Sequence, residues 1–361
     1  MPEDLVDQIY EAAFVPEMWP RVLDSLSAMT GSVGGAILAT GDRHPPRWAA
    51  SEVVAPALNA FATGDAWKHN KRPHRWLASA HPGFLRDVDL FTVQELRSDP
   101  MSHELQTNGL GWQLGAVIPM SSGEVVIFSL ERRFADGAHD VAMREIADPF
   151  RPHLARAGLL AARLGLERAR NAVATLEAIG LPAAVTTASG RVLAANALLD
   201  QSQSLLPAAH GKFTLPDQPA NELLNQTIST TAAGRYVSRS IPMPATGDRQ
   251  AAVVHVLPLT GAVHDIFSGA TVLVIVTSVG MSVNAPDIPL LRVLFDLSPA
   301  EARLAAALAS GSTLKQAAAD SDIQFSTARS YIENVFRKTG THQQSQLVAL
   351  LKSTQPLIPR E

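Results

Sequence analysis

The 361-residue sequence predicts an α+β protein: two antiparallel-sheet modules joined by a long helix, followed by an all-α four-helix domain. Three observations predict it. Strand-like runs bounded by Gly, Ser and Pro recur in residues 1–140 and again in 181–285. Between them, residues 141–180 carry apolar side chains at three- and four-residue steps, the period of a helix. In 290–353, Ser298/Glu301, Thr313/Gln316 and Thr341/Gln344 each have the Ser/Thr-x-x-Glu/Gln form of a helix start.

The first module reads helix–helix–strand, "DQIYEAAFVPEMWPRVLDSLSAMTG" then "SVGGAILAT", followed by a loop-rich middle. "WQLGAVIPM" and "EVVIFSLER" then form a hairpin about Ser121–Ser122–Gly123. "GLGWQLG" (109–115) has the glycine spacing of a phosphate loop, but it precedes a strand and opens no helix, so that reading fails on context. In the connecting segment, Met143, Ile146, Phe150, Leu154, Leu160 and Leu164 mark the apolar face. Pro149 and Pro152 should kink or break it, and Gly180–Leu181–Pro182 should end it.

The second module opens "PAAVTTASGRVLAANALL", two short strands about an Ala-Ser-Gly turn with a helix starting near Asn196. "RYVSRSIP", "AAVVHVLPL" and "GATVLVIVTSV" supply three more strands. This order resembles a PAS domain, whose second strand commonly ends in such an asparagine. Residues 1–140 resemble the GAF/PAS-like sensor modules that precede DNA-binding domains. The resemblance implies a cavity between sheet and helices, and Trp67, Trp76 and Trp112 fall in segments that would cover one, as ligand-lining residues or as ordinary core.

Composition excludes several chemistries. With 46% hydrophobic and 18% charged residues the chain can bury real cores. A formal net charge of −4 argues against a surface that seeks polyanions everywhere, while leaving room for a local basic face. There is no cysteine, which removes disulfides, iron–sulfur clusters, thiolate catalysis and cysteinyl–flavin photochemistry. The acidic start "MPEDLVDQIYEAAF" lacks the apolar core of a secretory signal, and the 269–279 run is too short to span a bilayer. A cytoplasmic protein without membrane contact is expected. His69 and His74 in "HNKRPH" lack the partners of a metal or haem site, and no nucleophile, P-loop or zincin motif occurs. The expectation is therefore a non-enzyme with no cofactor and no metal.

The C-terminal segment raises one anomaly. In "STARSYIENVFRK" Ser326 reads as a cap, and Arg329 stands where a capping acid would help. A cation in the first turn opposes the helix dipole at a cost of roughly 0.3–1 kcal/mol. Either Arg329 is a solvated surface charge, or an outside anion or base edge offsets that cost. The face pattern favours the second. Ala328, Ile332 and Val335 share one side, leaving Thr327, Arg329, Ser330, Glu333, Asn334, Arg337 and Lys338 outward. Arg, Glu and Asn on one exposed helix can read guanine, cytosine and adenine edges in the major groove.

Residues 297–352 resemble the LuxR-type (GerE-like) helix-turn-helix domain: "LSPAEARL", "ASGSTLKQAA" and "STARSYIENVFRKTGT" match its three motifs. The resemblance implies double-stranded DNA as partner, with Arg329, Ser330 and Glu333 facing bases and Lys338 near phosphate. Lys315, Thr327, Asn334 and Arg337 complete the expected surface. The family's last helix commonly dimerises, so a homodimer on two half-sites is expected, its seam drawn from the final helix and from 141–178, with RNA polymerase as a possible further partner. Gln316 stands where the family usually has glutamate, and near the position of Gln343 the family usually has an arginine that pairs with the acid matching Glu301. That ion pair is expected to be missing here. The resulting expectation is a transcription regulator controlled by a small apolar or aromatic ligand in the N-terminal region. The alternatives are control by a partner protein, or a pocket-bearing enzyme with a vestigial helix-turn-helix.

Overall fold

The computed structural model describes residues 3–41, 44–64, 66–120, 124–202, 205–232, 237–247, 249–259, 266–267, 269–279 and 287–353. They form two compact units. One comprises residues 1–177, 182–243 and 253–277; the other comprises 278–361 with the short segments 178–181 and 244–252. The turn expected at Ser121–Ser122–Gly123 and the start of "RYVSRSIP" lie outside the described residues.

The first unit begins with α1 (Glu3–Phe14) and α2 (Trp19–Met29), then β1 (Gly34–Gly41) and β2 (His44–Ala50). The stretch read as loop-rich is largely helical: α3 (Ala55–Thr63), α4 (Arg72–Ser79), the two-residue β3 (Leu85–Arg86), α5 (Asp87–Leu90), α6 (Val93–Ser98) and α7 (Pro100–Thr107). Prolines at the starts of α3, α4 and α7 look like breakers in sequence, yet each occupies a first-turn position where its missing N–H is no loss. The hairpin follows as β4 (Leu110–Pro119) and β5 (Val125–Arg133). The sheet runs β2-β1-β5-β4-β3, and its neighbouring strands pair antiparallel.

This sheet is buried on both faces, which explains why "GGAILATG" and "VVIFSLERR" read as nearly continuous apolar runs. Ile37, Ala39, Leu114, Ala116, Val126, Phe128 and Leu130 join Trp19, Leu23 and Leu26 of α2 in one cluster. Ala36, Leu38 and Ile127 face the other way, against Leu58 and Phe61 of α3, Trp76 of α4 and Met101 and Leu105 of α7. Gly115 of β4 is required here, because a Cβ would stand 2.6 Å from the Trp76 ring.

The connecting segment breaks where its prolines predict. α8 (Val141–Ala147) ends at a 3-10 turn, Asp148–Phe150, and α9 (Arg151–Ala178) runs on from there. The buried face of α9 serves two sheets. Leu154, Ala157 and Ala161 pack in the α2 cluster, while Ala169 and Val173 pack with Ala183, Val185 and Ala194.

The second sheet contains β6 (Ala183–Thr187), β7 (Val192–Ala195), β10 (Arg239–Met243), β11 (Ala251–Pro258) and β12 (Ala270–Val279), in the order β10-β11-β12-β6-β7. Counted from each sheet's own first strand, the two share the order 2-1-5-4-3. α10 (Ala197–Gln201), a β8–β9 ribbon (Leu206–Ala208 and Lys212–Thr214) and α11 (Gln218–Ala232) lie between β7 and β10. Asn196 does cap a helix: its Oδ1 accepts from Leu199 N (3.2 Å) and Ala183 N (3.1 Å). Its Nδ2 donates to Val173 O (3.1 Å), so one buried amide ties α9, β6 and α10 together.

The β11–β12 connection reaches back into the first core. Phe267 lies 5.2 Å from the Trp19 ring and 6.5 Å from Phe128, over Gly158 of α9, where a Cβ would come within 2.8 Å of it. Arg47 of β2 holds the same segment by donating to Ile266 O (2.9 Å).

The C-terminal unit contains α12 (Ile288–Phe295), α13 (Pro299–Ala309), α14 (Leu314–Asp320), α15 (Phe325–Thr339) and α16 (Gln344–Ser353). The boxes at Ser298/Glu301 and Thr313/Gln316 form as expected. The third does not: α16 starts at Gln344, the Thr341 hydroxyl bonds that of Thr339, and the Gln346 side chain accepts from His342 N. Among the described residues no helix is long and apolar enough to cross a membrane.

Phe267→Ala should cost the first unit about 3–5 kcal/mol, the range for emptying a buried phenylalanine site. Urea unfolding followed by tryptophan fluorescence checks this, because Trp19 is the ring Phe267 touches. An unchanged midpoint would mean the segment is not docked.

Candidate sensor pocket and nucleic-acid interface

The helix-covered face of the first sheet lines a partly open cavity of about 30 Å³. The sheet supplies Leu38, Gln113, Ile127, Ser129 and Glu131; α3 supplies Leu58 and Phe61; α4 gives Arg72 and Trp76; α7 gives Met101, Glu104 and Leu105. Of the three tryptophans expected at a pocket, only Trp76 lines it. Trp67 is half-buried outside the lining. Trp112 stacks on Phe134 with centroids 5.9 Å apart and donates to Phe134 O, so both its ring and its N–H are used elsewhere.

The lining is mainly apolar but includes buried charged and polar side chains. Arg72 is 1% exposed and donates to Asp99 (2.6 Å), Ser102 (2.9 Å) and Asp87 (3.4 Å). Burial opposes its charge, but Asp87 and Asp99 more than restore it and the guanidinium is held above its ordinary value. Burial pushes the Asp87 carboxyl up against the pull of Arg72. At Asp99 burial is outweighed by Arg72 and Ser102, and its carboxyl lies below the usual range.

Gln113 and Glu131 sit directly opposite each other on β4 and β5. Gln113 Nε2 donates to Glu131 Oε1 (2.8 Å), and Ser129 Oγ donates to the same oxygen (2.6 Å). Burial drives the Glu131 carboxyl up to about 7, against those two bonds. Sequence reasoning found none of this constellation and expected no titratable cluster here.

On the C-terminal unit, α14 and α15 meet through a turn in which Asp322 takes φ +52° and Ile323 N donates back to Ala318 O. This closes the turn early, so α15 starts at Phe325 after Gln324, which makes no side-chain cap bond. Ser326 is therefore inside the helix. Arg329 is its fifth residue, beyond the first turn, and lies 3.8 Å from Glu333 with both side chains largely exposed. The supposed clash with the helix dipole does not arise.

The buried side of α15 is as expected, and the outward side is so only in part. Ala328, Ile332 and Val335 are buried, and Lys315, Arg329, Ser330, Glu333 and Arg337 are exposed. Thr327 and Asn334 are half-buried, and Asn334 Oδ1 accepts from Arg337. Lys338 departs from expectation. Its Nζ donates inward to Glu301 Oε2 and to Asp296 O, both at 2.8 Å, and is not extended for phosphate. The ion pair expected to be missing is thus supplied by Lys338. Burial works against the Glu301 charge, yet Lys338 and the Ser298 amide hold it below the ordinary carboxylate range.

No protein-family profile and no curated protein sequence matches the chain. Among solved structures it is similar to the Vibrio cholerae VqmA dimer without target DNA, at 13% identity and a TM-score of 0.20, covering 51% of this chain and 86% of that one. A Vibrio cholerae VqmA–ligand–DNA complex gives 14% and 0.23, covering 52% and 90%; a phage VqmA–DPO complex gives 15% and 0.23, also covering 52% and 90%. Likeness at that level decides nothing about this chain.

A carboxyl raised from 4.5 to about 7 favours folding in full below pH 4.5, and that contribution disappears as pH rises through 7. Glu131→Gln keeps an acceptor for both bonds without the buried charge. It should gain about 1–3 kcal/mol over the wild type at pH 8 and little or nothing at pH 4.5. Denaturation at the two pH values checks this; an equal effect at both would mean Glu131 does not titrate in the fold.

Proposed function

We propose that the chain is a DNA-binding transcription regulator whose C-terminal helix-turn-helix reads the major groove and whose N-terminal unit senses a small molecule. The observation that carries the reading is the geometry of α14 and α15. A short helix, a four-residue turn and a helix about 22 Å long (at ~1.5 Å per residue) leave Arg329, Ser330, Glu333 and Arg337 on one unobstructed face. Arg329 is the candidate guanine reader and Glu333 the candidate cytosine reader, held side by side by their mutual attraction. Lys315 and Arg337 are the candidate phosphate contacts. The cavity on the sheet's helix-covered face is the candidate sensor.

Homodimerisation belongs to the same reading. In α16, Leu347 and Leu351 complete the unit's own core, leaving Val348 and Leu350 half-buried for a partner. On the connecting helices, Ile146 and Leu159 are exposed, at 37% and 44%.

Selection of a binding sequence from random DNA, followed by titrations with variants, tests the reading. Arg329→Ala should lose about 1–3 kcal/mol on the selected site and relax one guanine position. Lys338→Ala should instead lower the thermal stability of the C-terminal unit by about 1–3 kcal/mol, because it strands a buried carboxylate, and leave the salt dependence of binding nearly unchanged. Full affinity in Arg329→Ala would sink the groove assignment.

Sedimentation at micromolar concentration should give a dimer, both free and on DNA. A monomer in both conditions contradicts the symmetric half-site arrangement.

A further inference from the structure

Three residues that line the sensor cavity each carry a buried polar atom that no described residue satisfies: Trp76 Nε1, Gln113 Oε1 and Glu131 Oε2. Each belongs to a residue that lines the cavity and is at most 6% exposed. An unpaired buried donor or acceptor costs about 1–3 kcal/mol, so three on the lining of one cavity favour an occupant that would pair with them. Two of the three are acceptors, and one of those is a carboxylate oxygen. The charges point the same way. Arg72 is the cation of this buried network and is hydrogen-bonded to Asp87 and Asp99, so it acts on Glu131 only through space and forms no hydrogen bond with it. The contacts of Glu131 are the neutral Gln113 and Ser129.

We propose that the cavity binds a small protonated amine with a neighbouring hydroxyl or carbonyl oxygen and a short apolar body. The ammonium donates to Glu131 Oε2 and Gln113 Oε1; the oxygen accepts from Trp76 Nε1; the apolar part rests on Leu58, Phe61 and Ile127. A cavity of about 30 Å³ limits the occupant to a few heavy atoms unless Met101, an unbranched and adaptable side chain, moves aside. This rests on the sensor reading above and names its ligand class in place of the apolar or aromatic molecule expected from sequence. A neutral molecule leaves Glu131 Oε2 without a donor unless the carboxyl is protonated, and an anion meets Glu104 and Glu131 in the lining, where Arg72 is already engaged by Asp87 and Asp99.

The class dictates a pH response. The groups around Glu131 are Gln113 and Ser129 on the sheet, Arg72 on α4, Asp87 on α5, Asp99 at the start of α7 and Glu104 further along it. With its carboxyl at about 7, Glu131 must lose a proton to hold an ammonium. Affinity for an amine that stays protonated should therefore rise about tenfold from pH 6 to pH 8.

Four probes decide the matter by calorimetry and ligand-observed NMR on the full chain: 1-amino-2-propanol, propylamine, propane-1,2-diol and lactate. The amino alcohol should bind most tightly and propylamine next, with diol and lactate at least tenfold weaker. Glu131→Gln should abolish the advantage of amines over diol. Trp76→Phe, which keeps a ring against Gly115, should abolish only the advantage of the amino alcohol over propylamine. Equal binding of diol or lactate, amine binding indifferent to Glu131→Gln, or no amine binding below about 50 mM would each overturn the proposal. DNA titrations on the same samples separate the two readings. Amine bound through Glu131 with unchanged DNA affinity upholds the site and sinks ligand control; intact DNA binding with no amine bound overturns the site and leaves the DNA reader standing.

Discussion

Strand β5 places two environments one residue apart. Ile127, Ser129 and Glu131 face the cavity, while Val126, Phe128 and Leu130 face the core that receives Phe267. Strand geometry enforces this alternation, and a register slip of one residue would exchange the two sets. Pairing with β1 on one side and β4 on the other prevents that slip, and sets Gln113 opposite Glu131. The cavity's polar floor and the aromatic seat for the second sheet's connection are therefore opposite faces of one ladder. Neither can shift along the chain without the other.

That arrangement gives a physical route between pocket and second sheet. Ordering a ligand against Glu131 and Ser129 would fix one face of β5; Phe128, next to Ser129, touches Phe267 on the other face. A packed core moves between discrete arrangements and does not deform smoothly, so under the proposed reading a small change in β5 would be felt as a change in how Phe267 seats. A ligand biases that equilibrium only as far as it binds the two arrangements unequally. Gly158 matters here because it lets Phe267 lie directly on α9, the helix that also packs under the second sheet.

What the sequence revealed depended on how local each signal was. The caps at Ser298 and Thr313, the break at Pro149 and the Asn196 cap were legible because each is decided within a few neighbouring residues. Ser326 misled for the same reason: it looks like a cap, but Asp322 turns the chain early through a left-handed conformation and the helix starts before it. The middle of the first module looks loop-rich in sequence because its helices are short and three of them carry a first-turn proline. The pocket was hidden more completely. Arg72, Gln113 and Glu131 lie far apart in the chain, and Glu131 in "VVIFSLERR" looks like the solvated end of a strand. Only the antiparallel pairing shows that it lines a cavity and not the surface.

Lys338 shows how little cationic surface the proposed DNA reader retains. Once its ammonium is committed to Glu301 and Asp296, the exposed cations of α14 and α15 are Lys315, Arg329 and Arg337, with Glu333 set among them. Sequence-independent affinity scales with phosphates neutralised, at roughly 0.9 counterions released per contact on duplex DNA. Two or three contacts give one unit a weak, salt-sensitive hold. Glu333 weakens it further, because its carboxylate faces the same backbone charge. A reader built this way gains little from arbitrary DNA and most from a site that offers Arg329 its guanine and Glu333 its cytosine. Pairing two such units doubles the small electrostatic contribution and squares the discrimination. The proposed dimer is therefore the arrangement in which so sparse a surface still selects a site.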